Sequence, residues 1–148
     1  MIQYAPIRTR PKRSPQAQRE VRRDTPLRKA RTCYGHLAGV AGVALMEELL
    51  RREWLEEEPV PVSGNRVRYA LTTKGRKAME ELGVEVSTAA KSTGNFAFGC
   101  LDWTEPGLHL GGSLGRAVTA YLSERGFVCR TEGKREVTLD GSPRFWVT

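Results

Sequence analysis

The feature that most constrains the fold is an internal repeat in the amino-acid sequence. The segment HLAGVAGVALMEELLRREWL, which begins at His36, aligns without a gap with HLGGSLGRAVTAYLSERGFV, which begins at His109. A second pair of segments, YALTTKG from Tyr69 and REVTLDG from Arg135, follows in the same order. Because the matches keep their order and spacing, we predict two copies of one structural unit.

Each unit is expected to contain a helix, a β-hairpin and a second helix. Apolar residues recur at helical spacing within residues 36–55 and 109–128. A short strand, a turn and a return strand follow, and Thr72 or Thr73 is expected to cap a further helix in the first unit. The chain ends at Thr148, so the matching helix of the second unit is expected to have at most two turns. The predicted fold class is therefore α+β and helix-rich, a winged-helix-like domain built from two unequal repeats.

Glycines recur at the start of both predicted long helices. A glycine in a helix interior costs about 1 kcal/mol relative to alanine, so repeated use predicts close backbone approach. We expect the two long helices to pack on each other about a pseudo-twofold axis, with one glycine set facing the other. The alternative is that these glycines mark a kinked helix start. The two sets are Gly35, Gly39 and Gly42, and Gly111, Gly112 and Gly115.

Positive charge is concentrated at the N-terminus. The 148 residues carry a net charge of +7, yet residues 1–31 hold ten Lys and Arg against two acidic residues. Residues 32–148 hold fourteen basic and fifteen acidic residues. Frequent prolines and few apolar residues predict a flexible start, with Ser14 capping a short helix and a second helix at Pro26. The predicted divisions are a basic flexible arm (1–24), repeat 1 (25–83), a linker (84–99) and repeat 2 (100–148).

Cations in the arm and in the two predicted hairpins, or wings, are candidate DNA contacts. Lysine and arginine near a polyanion release condensed counterions, which favours binding to DNA phosphates. The alternative is a solvated charged surface, since charge alone carries no base specificity. Three consecutive glutamates from Glu56 weaken the case for the first wing. The candidates are Arg8, Arg10, Lys12 and Arg13 in the arm, and Arg66, Arg68, Lys134 and Arg135 in the wings.

The cysteines and histidines form the other chemical candidate. Cys33 precedes His36, and Cys100 precedes His109, so pairing of the repeats would bring two thiols and two imidazoles together. Their spacing is not that of a zinc finger, and small buried cysteines with hydrogen-bonding histidines are the alternative. We therefore predict no cofactor, with zinc kept as the alternative. The odd count of three cysteines, completed by Cys129, argues against a disulfide scaffold and for the cytoplasm.

Several function classes are disfavoured. No run of apolar residues reaches the roughly 20 needed to span a membrane. No phosphate-binding glycine loop, nucleophile elbow or metalloprotease motif occurs, and neither Ser113 nor Ser123 has identifiable catalytic partners. Asp102 and Glu105 lie close together in sequence, but no paired base or nucleophile accompanies them. An enzyme is therefore not predicted.

Three blocks of the sequence resemble the C-terminal half of bacterial ArsR-type winged-helix transcriptional regulators. The resemblance covers about residues 27–148, and it implies a cytoplasmic, dimeric regulator with small β-wings. Two family features are missing from this sequence: the N-terminal winged helix with its recognition helix, and the Cys-Val-Cys thiolate motif of metal-sensing members. The blocks are RKARTCYGHLAGVAGVALMEELLRREWL, YALTTKGRKAMEELGV and CLDWTEPGLHLGGSLGRAVTAYLSERGFV.

The predicted function is a DNA-binding transcriptional regulator, ArsR-like, that contacts phosphates through the arm and the wings. The alternative is an effector-sensing or dimerisation module without its own DNA reader, which acts by pairing with a full-length regulator. DNA is therefore the expected partner, together with a homodimer or a heterodimer with such a regulator. No membrane partner is expected.

Overall fold

A computed structural model describes residues 13–33, 35–59, 67–91 and 95–148. Two helices come first in this part of the chain, α1 (Pro15–Arg23) and α2 (Pro26–Lys29). The first unit then comprises β1 (Arg31–Cys33), β2 (His36–Ala38), α3 (Gly39–Arg51), β3 (Leu55–Glu57), β4 (Tyr69–Leu71) and α4 (Thr73–Leu82). After α5 (Val86–Ala90), the second unit comprises β5 (Phe98–Leu101), β6 (Leu108–Gly111), α6 (Gly112–Glu124), β7 (Val128–Arg130), β8 (Val137–Leu139) and α7 (Pro143–Trp146).

The order of elements is the same in the two units. Each has a hairpin, a long helix, a second hairpin and a further helix, and all four hairpins are antiparallel two-stranded sheets. The predicted α+β, helix-rich, winged-helix-like class with two unequal repeats is confirmed. The second unit ends in the one-turn helix α7, as its shorter sequence predicts. No helix in the described segments is both long and apolar enough to cross a membrane.

The start of each unit differs from the prediction. His36 and His109 were expected to begin long helices, but both lie in strands, β2 and β6. The helices begin three residues later, at Gly39 and Gly112, which have φ values of +77° and +83°. This left-handed conformation, which glycine adopts without a Cβ penalty, lets an extended strand turn directly into a helix.

The packing of the long helices also differs from the prediction. They were expected to lie against each other, but α3 packs mainly on β6 and α6 packs on β2, so each helix covers a strand of the other unit. A Cβ on Gly42 would lie 3.3 Å from the Cβ of His109, and one on Gly115 would lie 3.3 Å from that of His36. The close approach predicted from these two glycines is therefore present. Each glycine approaches a strand residue of the other unit, and not the other long helix.

The second hairpins are tied to the opposite units as well. An isolated bridge joins Arg68, before β4, to Phe98 of β5, and another joins Arg31 of β1 to Glu136, before β8. Backbone hydrogen bonds reinforce both connections, such as that from Thr32 N–H to the Arg135 carbonyl at 2.9 Å. The return strand of each wing is thereby linked to the first hairpin of the other unit, and the two repeats form one interlocked body.

The segment predicted as a linker carries α5, which packs on α6. Val86 and Ala89 are buried there, and the Ser113 hydroxyl donates to the Ala89 carbonyl at 2.9 Å. At the other end of the described chain, the Ser14 side chain accepts from Ala17 N–H at 3.1 Å, which confirms the predicted cap of α1. The boundaries between arm, repeats and linker stay predictions.

Candidate functional site

The two first hairpins bring a cysteine and two histidines together. Cys33 pairs with His36 across β1–β2, and Cys100 pairs with His109 across β5–β6. The two imidazole rings meet between the units, with centroids 5.2 Å apart and planes inclined at 42°. One side-chain atom from each of Cys33, His36 and His109 lies within 4.8 Å of the others. We call these three residues the axis cluster, because the corresponding histidines of the two repeats meet there.

The imidazoles of the axis cluster are buried and incompletely hydrogen-bonded. His36 is 3% exposed and His109 is 1% exposed. Neither His36 Nδ1 nor His109 Nε2 has a hydrogen-bond partner among the described residues. Buried polar atoms are almost always paired, since an unpaired one forfeits its bond to water. Two such nitrogens at one place make the axis cluster the candidate site.

Asp102 anchors the histidine of the second unit. Its Oδ1 lies 2.9 Å from His109 Nδ1 and also accepts from Gly39 N–H at 2.8 Å. Its Oδ2 accepts from Arg31 Nη2 at 3.0 Å, and from the backbone N–H of Glu105 at 2.9 Å. The Asp102 and Arg31 side chains are fully or almost fully buried. This carboxylate thus fixes the orientation of the His109 ring and joins the two units.

Asp102 and His109 each stabilise the charged form of the other. Burial disfavours the Asp102 carboxylate, but the His109 hydrogen bond and the Arg31 charge outweigh that effect and hold the pKa of Asp102 well below its usual range. Burial likewise disfavours the charged form of His109, yet Asp102 and Cys33 raise the pKa of its ring. An ionised Asp102 accepts from His109 Nδ1, so the unbonded Nε2 is the atom directed at the axis cluster.

The pKa values of the other two members of the axis cluster, Cys33 and His36, are lowered, whereas that of His109 is raised. The Cys100 thiol, followed by the His109 ring, lowers the pKa of the Cys33 thiol to about 4. Burial, followed by the charge of His109, lowers the pKa of His36 to about 4. These shifts favour the thiolate of Cys33 and the neutral imidazole of His36, which are the forms that bind metal ions.

Of the zinc candidates, the structure brings Cys33, His36 and His109 together and places Cys100 beside Cys33. Sequence reasoning missed the role of Asp102. The sequence does contain a feature that points to Asp102. His36 follows Cys33 by three positions, but His109 follows Cys100 by nine, so the second unit has an insertion there. The longer turn of β5–β6 inserts a polar segment that the first unit lacks, and Asp102 begins it.

The candidate DNA contacts fall into two groups. Arg13 is half-buried, and its Nε donates to the Thr104 carbonyl at 2.7 Å, which ties the beginning of the described chain to the body. The wing residues Arg68, Lys134 and Arg135 are exposed, and Lys134 lies 3.7 Å from a Glu136 oxygen. The remaining candidates, Arg8, Arg10, Lys12 and Arg66, lie outside the described residues.

Helix α1 adds cations that the candidate set omitted. Arg19, Arg22 and Arg23 are exposed on it, while Ala17 faces the body. The last two lie in the final turn, where positive charge complements the helix dipole. The arginines at positions 19, 22 and 23 were visible in the sequence and could have been added to the candidate DNA contacts. DNA contact by any of these residues stays a prediction.

Comparison with known proteins finds similarity to a curated bacterial protein. Over 132 residues, 89% of its length, it is 28% identical to the protein of Bacillus subtilis (strain 168) named "Uncharacterized HTH-type transcriptional regulator YdfF". The match covers 55% of that relative, so the chain spans about half the length of the curated relative it matches. No protein-family model and no solved structure matches the chain. The name of this relative describes a transcriptional regulator.

Proposed function

We propose that this protein is a DNA-binding transcriptional regulator of the ArsR-like kind, acting in the cytoplasm. The observation that carries the proposal is the similarity to an HTH-type regulator along most of the chain. The body supplies the regulatory part, and the cationic residues of the arm, α1 and the wings bind DNA phosphates. The charge distribution supports this division, because residues 1–31 hold ten cations against two acids whereas the body is nearly neutral.

The test is the salt dependence of duplex affinity for the full chain. Each phosphate contact contributes about −0.9 to the slope of log affinity against log salt. Replacing Arg8, Arg10, Lys12 and Arg13 with glutamine should therefore reduce the slope by up to about 3.6. The matched control replaces Lys74, Arg76 and Lys77 of α4, which are exposed cations of the body, and should leave the slope unchanged. Equal slopes for all three proteins would contradict a role for the arm.

A second candidate function is an effector-sensing or dimerisation module that pairs with a full-length regulator. One observation favours it: each wing is linked by its return strand to the other unit. A wing held in this way is less available to enter a DNA groove. Co-expression with a full-length regulator should give heterodimers under this hypothesis, and recovery of separate homomers alone would contradict it.

A further inference from the structure

The axis cluster combines features that isolated buried histidines do not have. Its two rings offer unpaired nitrogens, His36 Nδ1 and His109 Nε2, in a place from which bulk water is largely excluded. A thiol lies within 4.8 Å of both rings. In a purely structural core such atoms would be expected to find hydrogen-bond partners. An electron-pair acceptor placed among these side chains would bind one nitrogen of each ring and the thiol at once.

The surroundings of His109 match those of a metal-binding histidine. Such a histidine almost always donates its other ring N–H to a carboxylate or carbonyl, which fixes the ring and increases its basicity. Here Asp102 Oδ1 lies 2.9 Å from His109 Nδ1. Asp102 is itself held by Arg31 and by backbone N–H groups. His109 Nε2 is thereby presented to the axis cluster in a fixed direction.

The types of ligand atom and the separations between them indicate which metal ion would bind. One thiolate and two imidazoles suit zinc, whereas calcium and magnesium take oxygen ligands. Zinc bonds of about 2.0–2.3 Å place tetrahedral ligand atoms about 3.3–3.8 Å apart. The observed separations, all within 4.8 Å, need a closure of roughly 1 Å to reach those values.

We propose that Cys33, His36 and His109 bind one Zn²⁺ ion where the two units meet. The Cys100 thiol is the counterpart of Cys33 in the second unit and interacts with it. It lies outside the group of three close ligand atoms, so it would have to move to become the fourth ligand. Zn²⁺ binds thiolates and neutral imidazoles, so its binding releases whatever protons these ligand atoms carry. The ion cross-links the two units through ligands from both, and this inference does not depend on whether the protein binds DNA.

The experiment adds Zn²⁺ or Co²⁺ to the full chain after treatment with a chelator. We expect one Zn²⁺ per chain, measured by competition with a chromophoric chelator. Bound Co²⁺ should show the strong visible bands of a tetrahedral site and a near-ultraviolet thiolate charge-transfer band. Cys33→Ser should abolish that band or weaken it and reduce affinity more than tenfold. The matched control, Cys129→Ser, removes an exposed cysteine and should behave as the wild type.

A measurement on the unmodified protein keeps the proposal testable if Cys33→Ser does not fold. Zn²⁺ should slow alkylation of Cys33 and leave that of Cys129 unchanged, with the modified positions identified by mass spectrometry. Failure of the folded protein to bind Zn²⁺ would overturn the proposal. So would binding that protects Cys129 as strongly as Cys33, or Co²⁺ spectra without a thiolate band, since either result describes adventitious surface binding.

Discussion

Asp102 concentrates more interactions than any other side chain described around the axis cluster. It accepts from a buried guanidinium and from backbone N–H groups while it orients His109. Taking a carboxylate and a guanidinium out of water is costly, and the loss is recovered only when both are fully bonded. Removing the charge from one partner leaves the other buried and uncompensated, so the pair should be sensitive to a change of a single atom.

We predict that Asp102→Asn lowers the free energy of unfolding by about 3–5 kcal/mol, because Arg31 is left without a counter-charge. Asp24→Asn is the matched control. Asp24 pairs with Arg28 and Lys29, but its side chain is 57% exposed, and asparagine tolerates its left-handed backbone. Its loss should cost less than about 1 kcal/mol. Urea unfolding of both variants checks this, and equal midpoints would contradict it.

Glu48 on α3 should make stability depend on pH. The Arg52 hydrogen bond lowers the pKa of Glu48, burial opposes this, and Arg51 lowers the pKa further. A carboxyl whose folded pKa lies below its unfolded value of about 4.5 stabilises the protein above that value. The contribution is lost as the pH falls through the folded pKa.

The wild type should therefore be more stable than Glu48→Gln at neutral pH, with a difference that shrinks as the pH falls below about 4.5. Urea unfolding at several pH values measures this. Glu47→Gln, a change at the exposed neighbour on the same helix, is the control and should follow the wild type. A difference between wild type and Glu48→Gln that grows toward acid pH would refute the assignment.

At the scale of the elements, α3 and α6 show what a periodic pattern can reveal. Helical spacing correctly indicated both helices, and alternating apolar and polar residues indicated the hairpins that follow them. Of the two predicted caps, Thr72 and Thr73, it is Thr72 that accepts from Gly75 N–H. Helical spacing did not reveal that the residues HLA and LHLG are strands, because three or four apolar residues fit either period. These residues form strands because they pair with β1 and with β5.

The same helices contain a close approach that alanine cannot accommodate. In a helix interior, Gly→Ala gains about 1 kcal/mol from propensity. At Gly42 the added Cβ would overlap the Leu37 carbonyl and lie 3.3 Å from the Cβ of His109. Overpacking costs about 1–3 kcal/mol, so the clash outweighs the propensity.

We predict that Gly42→Ala lowers the melting temperature, and that Gly115→Ala does the same, since its Cβ would overlap the Leu110 carbonyl. Val40→Ala, a change at an exposed position in the first turn of α3, should lie within about 0.5 kcal/mol of the wild type. Differential scanning calorimetry compares the three. A stabilised glycine variant would show that the helix start is not closely packed at that position.

At the scale of the whole molecule, the repeat predicted two similar units but not their crosswise arrangement. Periodicity within one unit carries no information about which surface of the other unit it meets. The candidate site depends on that arrangement: the cysteines and histidines were identifiable as residues, but their meeting point required β2 and β6 to lie side by side. The Asp102 contact required an insertion that only one unit has.

The last helix, α7, also joins the two units. Trp146 of α7 is buried, the Tyr121 hydroxyl donates to its carbonyl at 2.9 Å, and α7 packs on α3 of the first unit. We predict that Trp146→Ala costs about 3–5 kcal/mol, since it leaves a large cavity. Phe145→Ala, next to it but 74% exposed, should change stability by less than about 0.5 kcal/mol. Chemical denaturation measures both, and a reversed order would contradict the packing.

The measurement that tests the crosswise arrangement most directly uses the two histidines of the chain. Protein labelled only in histidine gives two imidazole spin systems in an NMR spectrum, without overlap from other residues. Ring centroids 5.2 Å apart predict a nuclear Overhauser effect between His36 and His109 in metal-free protein at neutral pH. Two folded ring systems with no cross-peak between them would show that the repeats do not meet at the axis cluster.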